Sequence, residues 1–212
     1  MSDAQHAPSA VLLVPVKAFG RAKGRLSSAL TPSQRVGLAR AMADVVIGAA
    51  GSLAVTVVCD DDEVAGWARQ RGASVCWTPG LDLNGALGEA LTQATEAGTE
   101  RVVIAHADLP FASGLADLAV VGEREVVIAP DRHGDGTNVL SIPTAQRFKL
   151  GYGPGSFAVH CAQARDLGLE LVELADPALG WDVDEPADLE PPAELGTLPQ
   201  PALAAPLVDG DN

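Results

Sequence analysis

Positive charge is scarce in this chain of 212 residues: 14 Lys and Arg stand against 28 Asp and Glu, for a formal net charge of -14. So acidic a body repels phosphate backbones and anionic headgroups, which argues against general binding to DNA, RNA or an acidic membrane surface. Aromatic residues make up only 4% of the chain, too few for a base-stacking platform. The cysteines Cys59, Cys76 and Cys161 are odd in number and far apart, with no C-x-x-C. They fit neither a disulfide framework nor a zinc site and are expected as reduced core thiols. No apolar run reaches the length of a bilayer span. The opening "MSDAQHAPSA" lacks the basic and apolar regions of an export signal, so a cytoplasmic protein is expected. Internal repeats are absent. So are the P-loop pattern G-x-x-x-x-G-K-[ST] and, in "AFGRAKG", the dinucleotide fingerprint G-x-G-x-x-G.

What is present describes a globular chain, 47% hydrophobic and 20% charged. Its length suits one domain, placed at residues 10–190 between a flexible N-terminus (1–9) and a flexible Pro/Ala-rich tail (191–212). Short β-rich runs alternate with helical patterns. Strands are expected at 10–16, 53–60, 73–77, 101–110, 125–130, 138–142 and 169–174, and helices at 31–51, after the Asp cluster at 60–62, at 83–98 and at 154–168. Thr31, Pro32 and Gln34 form a helix start with a capping box. Continuous apolar strands between helices predict an α/β fold, with helices on both faces of a mainly parallel sheet. Ligands of such sheets bind beyond the carboxyl ends of the strands.

Several post-strand segments carry candidate chemistry. In "VPVKAFGRAKGRL" the scarce cations gather as Lys17, Arg21, Lys23 and Arg25, directly after the first strand. A cationic turn there suits a polyphosphate, or else is a solvated loop with scattered positive charge. In "AHADLP", Asp108 follows the fourth strand, either as a metal or ribose ligand or as the cap of a helix near Phe111; His106 reads as a packed strand residue. "GWDVDEPADLE" offers Asp182, Asp184, Glu185 and Asp188. On a strand, Asp182 and Asp184 would share a side and suit Mg²⁺, whereas Asp184 before Glu185 and Pro186 also reads as a helix cap. "RHGDGTNVL" and "GYGPGS" are glycine-rich loops whose backbone amides could hold an anion, or else ordinary turns.

Taken in order, "VPVK", "KGRLSSAL", "HADLP", "DGTNVL", "YGPGSF" with a following His, and "DVDEPADL" resemble the phosphoenolpyruvate or 2-phospho-L-lactate guanylyltransferases of deazaflavin coenzyme F-420 biosynthesis. The resemblance spans roughly residues 10–190, and "DGTNVL" and "YGPGSF" are its most specific parts. The chain lacks the Gly-Gly pair that the wider molybdenum-cofactor guanylyltransferase group carries in its first loop. The resemblance implies a three-layer α/β/α fold of the nucleotide-diphospho-sugar transferase (glycosyltransferase-A) type. It implies that GTP and a phosphorylated three-carbon acid give a guanylylated diphosphate and pyrophosphate, with no organic cofactor. It implies that Thr137, Gly153 and Ser156 hold the acid, and that Asp108 and Asp184, with Asp182 or Glu185, hold Mg²⁺. The triphosphate would fall to Lys17, Arg21, Lys23 and Arg25, with Lys17, Lys23, Asp108 and Asp184 carrying catalysis. A labile product would be handed to a downstream transferase. Residues 77–91 are placed near the base. A sugar transferase on the same scaffold and a non-catalytic nucleotide-binding module are the alternative readings.

Overall fold

The computed structural model describes residues 9–200. Seven strands form one sheet: β1 (Ala10–Pro15), β2 (Ala54–Cys59), β3 (Ser74–Trp77), β4 (Arg101–Ala105), β5 (Glu125–Pro130), β6 (Thr137–Pro143) and β7 (Glu170–Glu173), in the order β3-β2-β1-β4-β6-β5-β7. All neighbouring pairs are parallel except those of β6, which runs against both β4 and β5. The helices are α1 (Pro32–Gly48), α2 (Asp62–Gln70), α3 (Leu83–Glu96) and α4 (Ser156–Asp166). The predicted capping box at Thr31 and Gln34 closes the start of α1. Asp61 and Asp82 accept hydrogen bonds from the first-turn amides of α2 and α3.

Strand alternation divides the core into two layers. Leu12, Val14, Val57, Cys59, Val103 and Ala105 pack under α1 and α2, with Ala43, Val46, Val64 and Trp67. Leu13, Val58, Ile104, Ile128, Leu140 and Ile142 face the other way, against Leu87 and Ala90 of α3 and Cys161 and Ala164 of α4. This is the expected three-layer α/β/α arrangement. All three cysteines are free and buried. Among the described residues no helix is long and apolar enough to cross a membrane.

Two features of this topology position the site. β1 feeds β2 on one side while β4 lies on its other side, so the chain order reverses between β1 and β4. A crevice opens at the carboxyl ends of strands that flank such a reversal. β6 runs the opposite way, so its first residue, Thr137, pairs with Pro130 at the carboxyl end of β5. A strand start is thereby brought to the same edge as the strand ends.

The "DVD" segment departs from expectation. Residues 181–184 form no strand, so alternation does not govern Asp182 and Asp184. Glu185, not Asp184, precedes the following 3-10 turn Pro186–Leu189. No helix starts after Asp108, which removes the capping role. His106 lies past the end of β4 rather than within it. Within the segment expected as a tail, Ala193–Leu195 form a 3-10 turn, and Leu198 packs on a small cluster of Leu26, Leu38, Met42 and Val183. The remainder of that expected tail, 201–212, and the expected flexible residues 1–8 lie outside the described residues.

Candidate active site

The cation-rich loop after β1 is held by apolar anchors at both ends. Phe19 is buried against Trp67 of α2, with ring centroids 5.3 Å apart and edge-on. Leu26 is buried in the small third cluster with Leu38 and Met42. Between them the cations have little freedom to withdraw. Lys17, Arg21 and Lys23 line a cavity of about 360 Å³ together with His106, Asp108, Asp184 and Leu83 of α3. Arg25 is exposed and does not line it, so the fourth cation of the run is not brought to this place.

Lys23 is the centre of the cavity's electrostatics. Its ammonium donates to Asp108 Oδ2 at 2.6 Å and to Asp184 Oδ1 at 3.0 Å. It is the single non-glycine residue at positive φ among the described residues, with φ 56°. Such a conformation costs about 1–3 kcal/mol and persists only where the surroundings enforce it. Burial opposes charge on Lys23, but the two carboxylates outweigh it and hold its pKa above the usual 10.5. Burial likewise opposes charge on Asp108, and Lys23 and then His106 reverse the effect, leaving its pKa below the usual carboxylate value. Asp108 Oδ1 is buried and has no protein partner.

Asp182 is arranged differently. Its carboxylate lies 3.4 Å from Asn138 Nδ2 and 3.7 Å from Arg132 Nη1. Burial and the nearby Asp108 charge push its pKa up. Among the described residues, no three His, Cys, Asp or Glu side chains converge into a ready-made metal cluster. Asp184 is held from behind by Asp188, whose Oδ2 accepts the amides of Asp184 and Glu185, each at 2.7 Å. Arg132 pairs with Asp188 in turn and lies over the Trp181 ring. The supporting roles of Asp188 and Arg132 carried no sequence signal beyond an acidic run.

The "GTN" and "GPGS" segments converge: Ser156 Oγ reaches Thr137 Oγ1 at 3.5 Å. Both residues are buried, and neither lines the 360 Å³ cavity. The link between the two places is a row of rings. His106, on the cavity wall, lies 5.1 Å from Tyr152, which meets His160 edge-on at 4.9 Å.

The glycine-rich loops keep few amides for a ligand. In the first, Asp131 takes the amides of His133, Asp135 and Gly136. In the second, Gly151 donates to His160 Nε2, Tyr152 to Asn84 Oδ1, Gly155 to Asp135 Oδ2 and Ser156 to Gly153 O. Pro154 has no amide hydrogen. Gly153 is left: exposed, at φ 141°, with no acceptor for its N–H among the described residues. That conformation suits glycine and no other residue. The expectation of a general amide cradle thus narrows to one amide. Asp131, Asp135, Asn84 and His160 do the internal work. Of these, Asp135 had a sequence signal as the first residue of "DGTNVL", and His160 as the His that follows "YGPGSF".

Comparison with known proteins agrees with this architecture. Residues 10–192 match the family model described as "Guanylyl transferase CofC like". The chain is 38% identical over 187 residues to a phosphoenolpyruvate guanylyltransferase of Sphaerobacter thermophilus, covering 85% of this chain and 90% of that protein. It is 36% identical over 188 residues to a 2-phospho-L-lactate guanylyltransferase of Methanothermobacter thermautotrophicus, covering 84% and 81%. Among solved structures, a nucleotide-diphospho-sugar transferase of Desulfovibrio desulfuricans superposes with a TM-score of 0.67 at 20% identity, over 84% of this chain and 83% of that one. A cytidylyltransferase of Leptospira borgpetersenii gives 0.57 at 14% identity, over 85% and 83%. At those identities the two structures speak for the fold alone. The match over nearly the whole described chain, a nucleotidyltransferase-type sheet and cations set against carboxylates at its switch point together mean that this protein belongs to the CofC-like guanylyl transferase family.

Proposed function

We propose that the protein transfers the guanylyl group of GTP to a phosphorylated three-carbon acid, phosphoenolpyruvate or 2-phospho-L-lactate, as a step of coenzyme F-420 biosynthesis. An oxygen of the acid's phosphate attacks the α-phosphorus of GTP. The bond from that phosphorus to the α–β bridging oxygen breaks, pyrophosphate leaves, and a new diphosphate joins GMP to the acid. The attacking phosphate oxygen is already anionic, so no protein nucleophile is needed. Both reactants are polyanions, so the work left to the protein is to bring them together and to stabilise the leaving group.

The observation that carries this reading is Lys23 bridging Asp108 and Asp184 beside Lys17 and Arg21, in a cavity at the sheet's switch point. In this reading Lys17, Arg21 and Lys23 bind the triphosphate. Arg25, outside the cavity, is given no part in it.

The residues fit a divalent cation. Two carboxylates converge on one positive centre, and Asp108 Oδ1 is buried without a partner. Asp108 and Asp184 would hold Mg²⁺, with Asp182 nearby. When bound, such an ion supplies Lewis-acid neutralisation of phosphate oxygens. Lys23, now occupying the carboxylates, is then free to turn its ammonium toward the phosphates.

The acid is assigned to Thr137, Gly153 and Ser156, supported by the unspent amide of Gly153 and by the position of Thr137 at the ligand edge. The three buried, free thiols fit a cytoplasmic setting. A labile product fits collection by a downstream transferase.

The test is pyrophosphate release by purified protein with Mg²⁺ and GTP, each acid supplied separately, with ATP, CTP and acid-free controls. Release that requires GTP and one acid is the expected result, and it names the acceptor. Release that ignores the acid, or none with either, contradicts the reading.

A further inference from the structure

His160 lies on α4, is fully buried, and makes two hydrogen bonds of unlike kind. The Gly151 amide lies 3.0 Å from Nε2. A backbone N–H can only donate, so Nε2 must be the bare nitrogen of a neutral ring. The ring proton therefore sits on Nδ1, which lies 3.0 Å from Thr137 Oγ1. Nδ1 can only donate, and the Thr137 oxygen accepts. Ser156 Oγ approaches the same oxygen at 3.5 Å, again as a donor.

With its oxygen receiving, Thr137 has only its own proton to give. Nothing among the described residues accepts it. An unspent buried donor is costly unless something else receives it. The approach of Gly151 is close: a Cβ there would stand 2.9 Å from Val159 Cγ1, so a larger residue would have to displace that side chain to bring its amide to the ring.

We infer that His160 is a positioning residue: held in one tautomer by the Gly151 amide, it occupies the Thr137 oxygen and so commits the Thr137 hydroxyl proton to an anionic oxygen of the acceptor acid. The inference rests on the assignment of Thr137 to the acceptor. Burial, and then the neighbouring His106, lower the His160 pKa to about 4, so the ring remains neutral near pH 7, as the Gly151 contact requires. His160 touches the acid only through Thr137, which sets what should be measured.

Nitrogen-15 NMR of the full chain with labelled histidine, assigned by comparison with His160→Phe, reads the tautomer without any substrate. A protonated Nδ1 and bare Nε2 are expected. The opposite tautomer, or averaging between the two, overturns the inference. In pyrophosphate-release kinetics, His160→Phe should raise KM for the acid about tenfold, the size of one lost hydrogen bond, and leave KM for GTP unchanged. His160→Asn, which can keep a donor near the Nδ1 position, should recover most of that loss. Because His160 acts through Thr137, the double variant Thr137→Val with His160→Phe should be no worse than Thr137→Val alone. Additive losses, or equal changes in both KM values, would mean a merely structural histidine. If the wild type releases no pyrophosphate with either acid, the guanylyl-transfer reading fails, whereas the tautomer measurement still decides the hydrogen-bond relay.

Discussion

On the β1 side of the crevice, several donors are left without a protein partner among the described residues. Lys17 and Arg21 form no ion pair among the described residues, and the amides of Lys17, Ala18 and Lys23 have no protein acceptor there. On the β6 side, most backbone donors are spent within the protein, on Asp131, Asp135, Asn84 and His160, which leaves the Gly153 amide, the Thr137 hydroxyl proton and the buried, unpartnered Tyr152 hydroxyl. In the proposed reading, the first side is a field of charge, tolerant of how a flexible triphosphate lies, and the second is a rigid frame for a small acid. Electrostatic attraction falls off slowly with distance, whereas a hydrogen bond weakens steeply when bent or stretched, so a large anion and a small one call for these different constructions.

Variants at the junction should have the largest effect, because the proposed reading gives Asp108 and Asp184 a metal ion shared by both substrates. Asp108→Ala or Asp184→Ala should lower kcat/KM by about 10³-fold or more, beyond the usual loss of one stabilising group. An unchanged circular dichroism spectrum would locate the loss in the site, and full activity in both variants would remove them from it. Lys23→Ala follows, at about 10²-fold in kcat/KM. The loss should appear with either acid and include a raised KM for GTP. Thr137→Val should do the reverse, raising KM for the acid about tenfold with KM for GTP unchanged. If both variants perturb both substrates alike, the two sides are not separate devices.

Stability against pH gives a further contrast. The folded His160 titrates near 4 rather than at the ordinary 6.5, so the fold favours its neutral form. That stability is complete above pH 6.5 and is lost as pH falls toward about 4, with a slope of up to about 1.4 kcal/mol per pH unit. Urea titrations should show the slope in the wild type and not in His160→Phe. The depressed carboxylates of Asp108 and Asp131 act in a lower window, losing their contribution below the ordinary carboxylate pKa of 3.8. The smallest effect belongs to Arg25→Ala, within about twofold in kcat/KM, as for an exposed charge screened by solvent. Arg21→Ala, on the cavity wall, should cost more.

The strands and helices were legible because apolar runs of strand length alternate with capped helical patterns, and Thr31 with Gln34 fixed one boundary closely. The cations after β1 were legible because so few others exist. What each of them touches was not. Lys17, Arg21, Lys23 and Arg25 look alike in sequence, but only the three-dimensional path separates Arg25 from the cavity and turns Lys23 through a left-handed conformation between two carboxylates. Asp182 and Asp184 looked paired because a strand was assumed; an irregular segment sends one toward Arg132 and the other toward Lys23. Glycine density marked the two loops, but which amides remain free depends on Asp131, which gathers the amides of its own loop, and on Asp135 and Asn84, whose partners are distant in sequence. His106, read as packing, proved to lie on the cavity wall with its Nε2 buried and unpartnered.

The most direct test of the account is phosphorus-31 NMR of the complete reaction, with GTP and phosphoenolpyruvate or 2-phospho-L-lactate as the substrate pair. Loss of the GTP and acid signals, with pyrophosphate and a new pair of coupled diphosphate resonances appearing in equal amounts, is the predicted result. GDP with inorganic phosphate, or pyrophosphate with free GMP while the acid stays unchanged, would contradict guanylyl transfer to the acid.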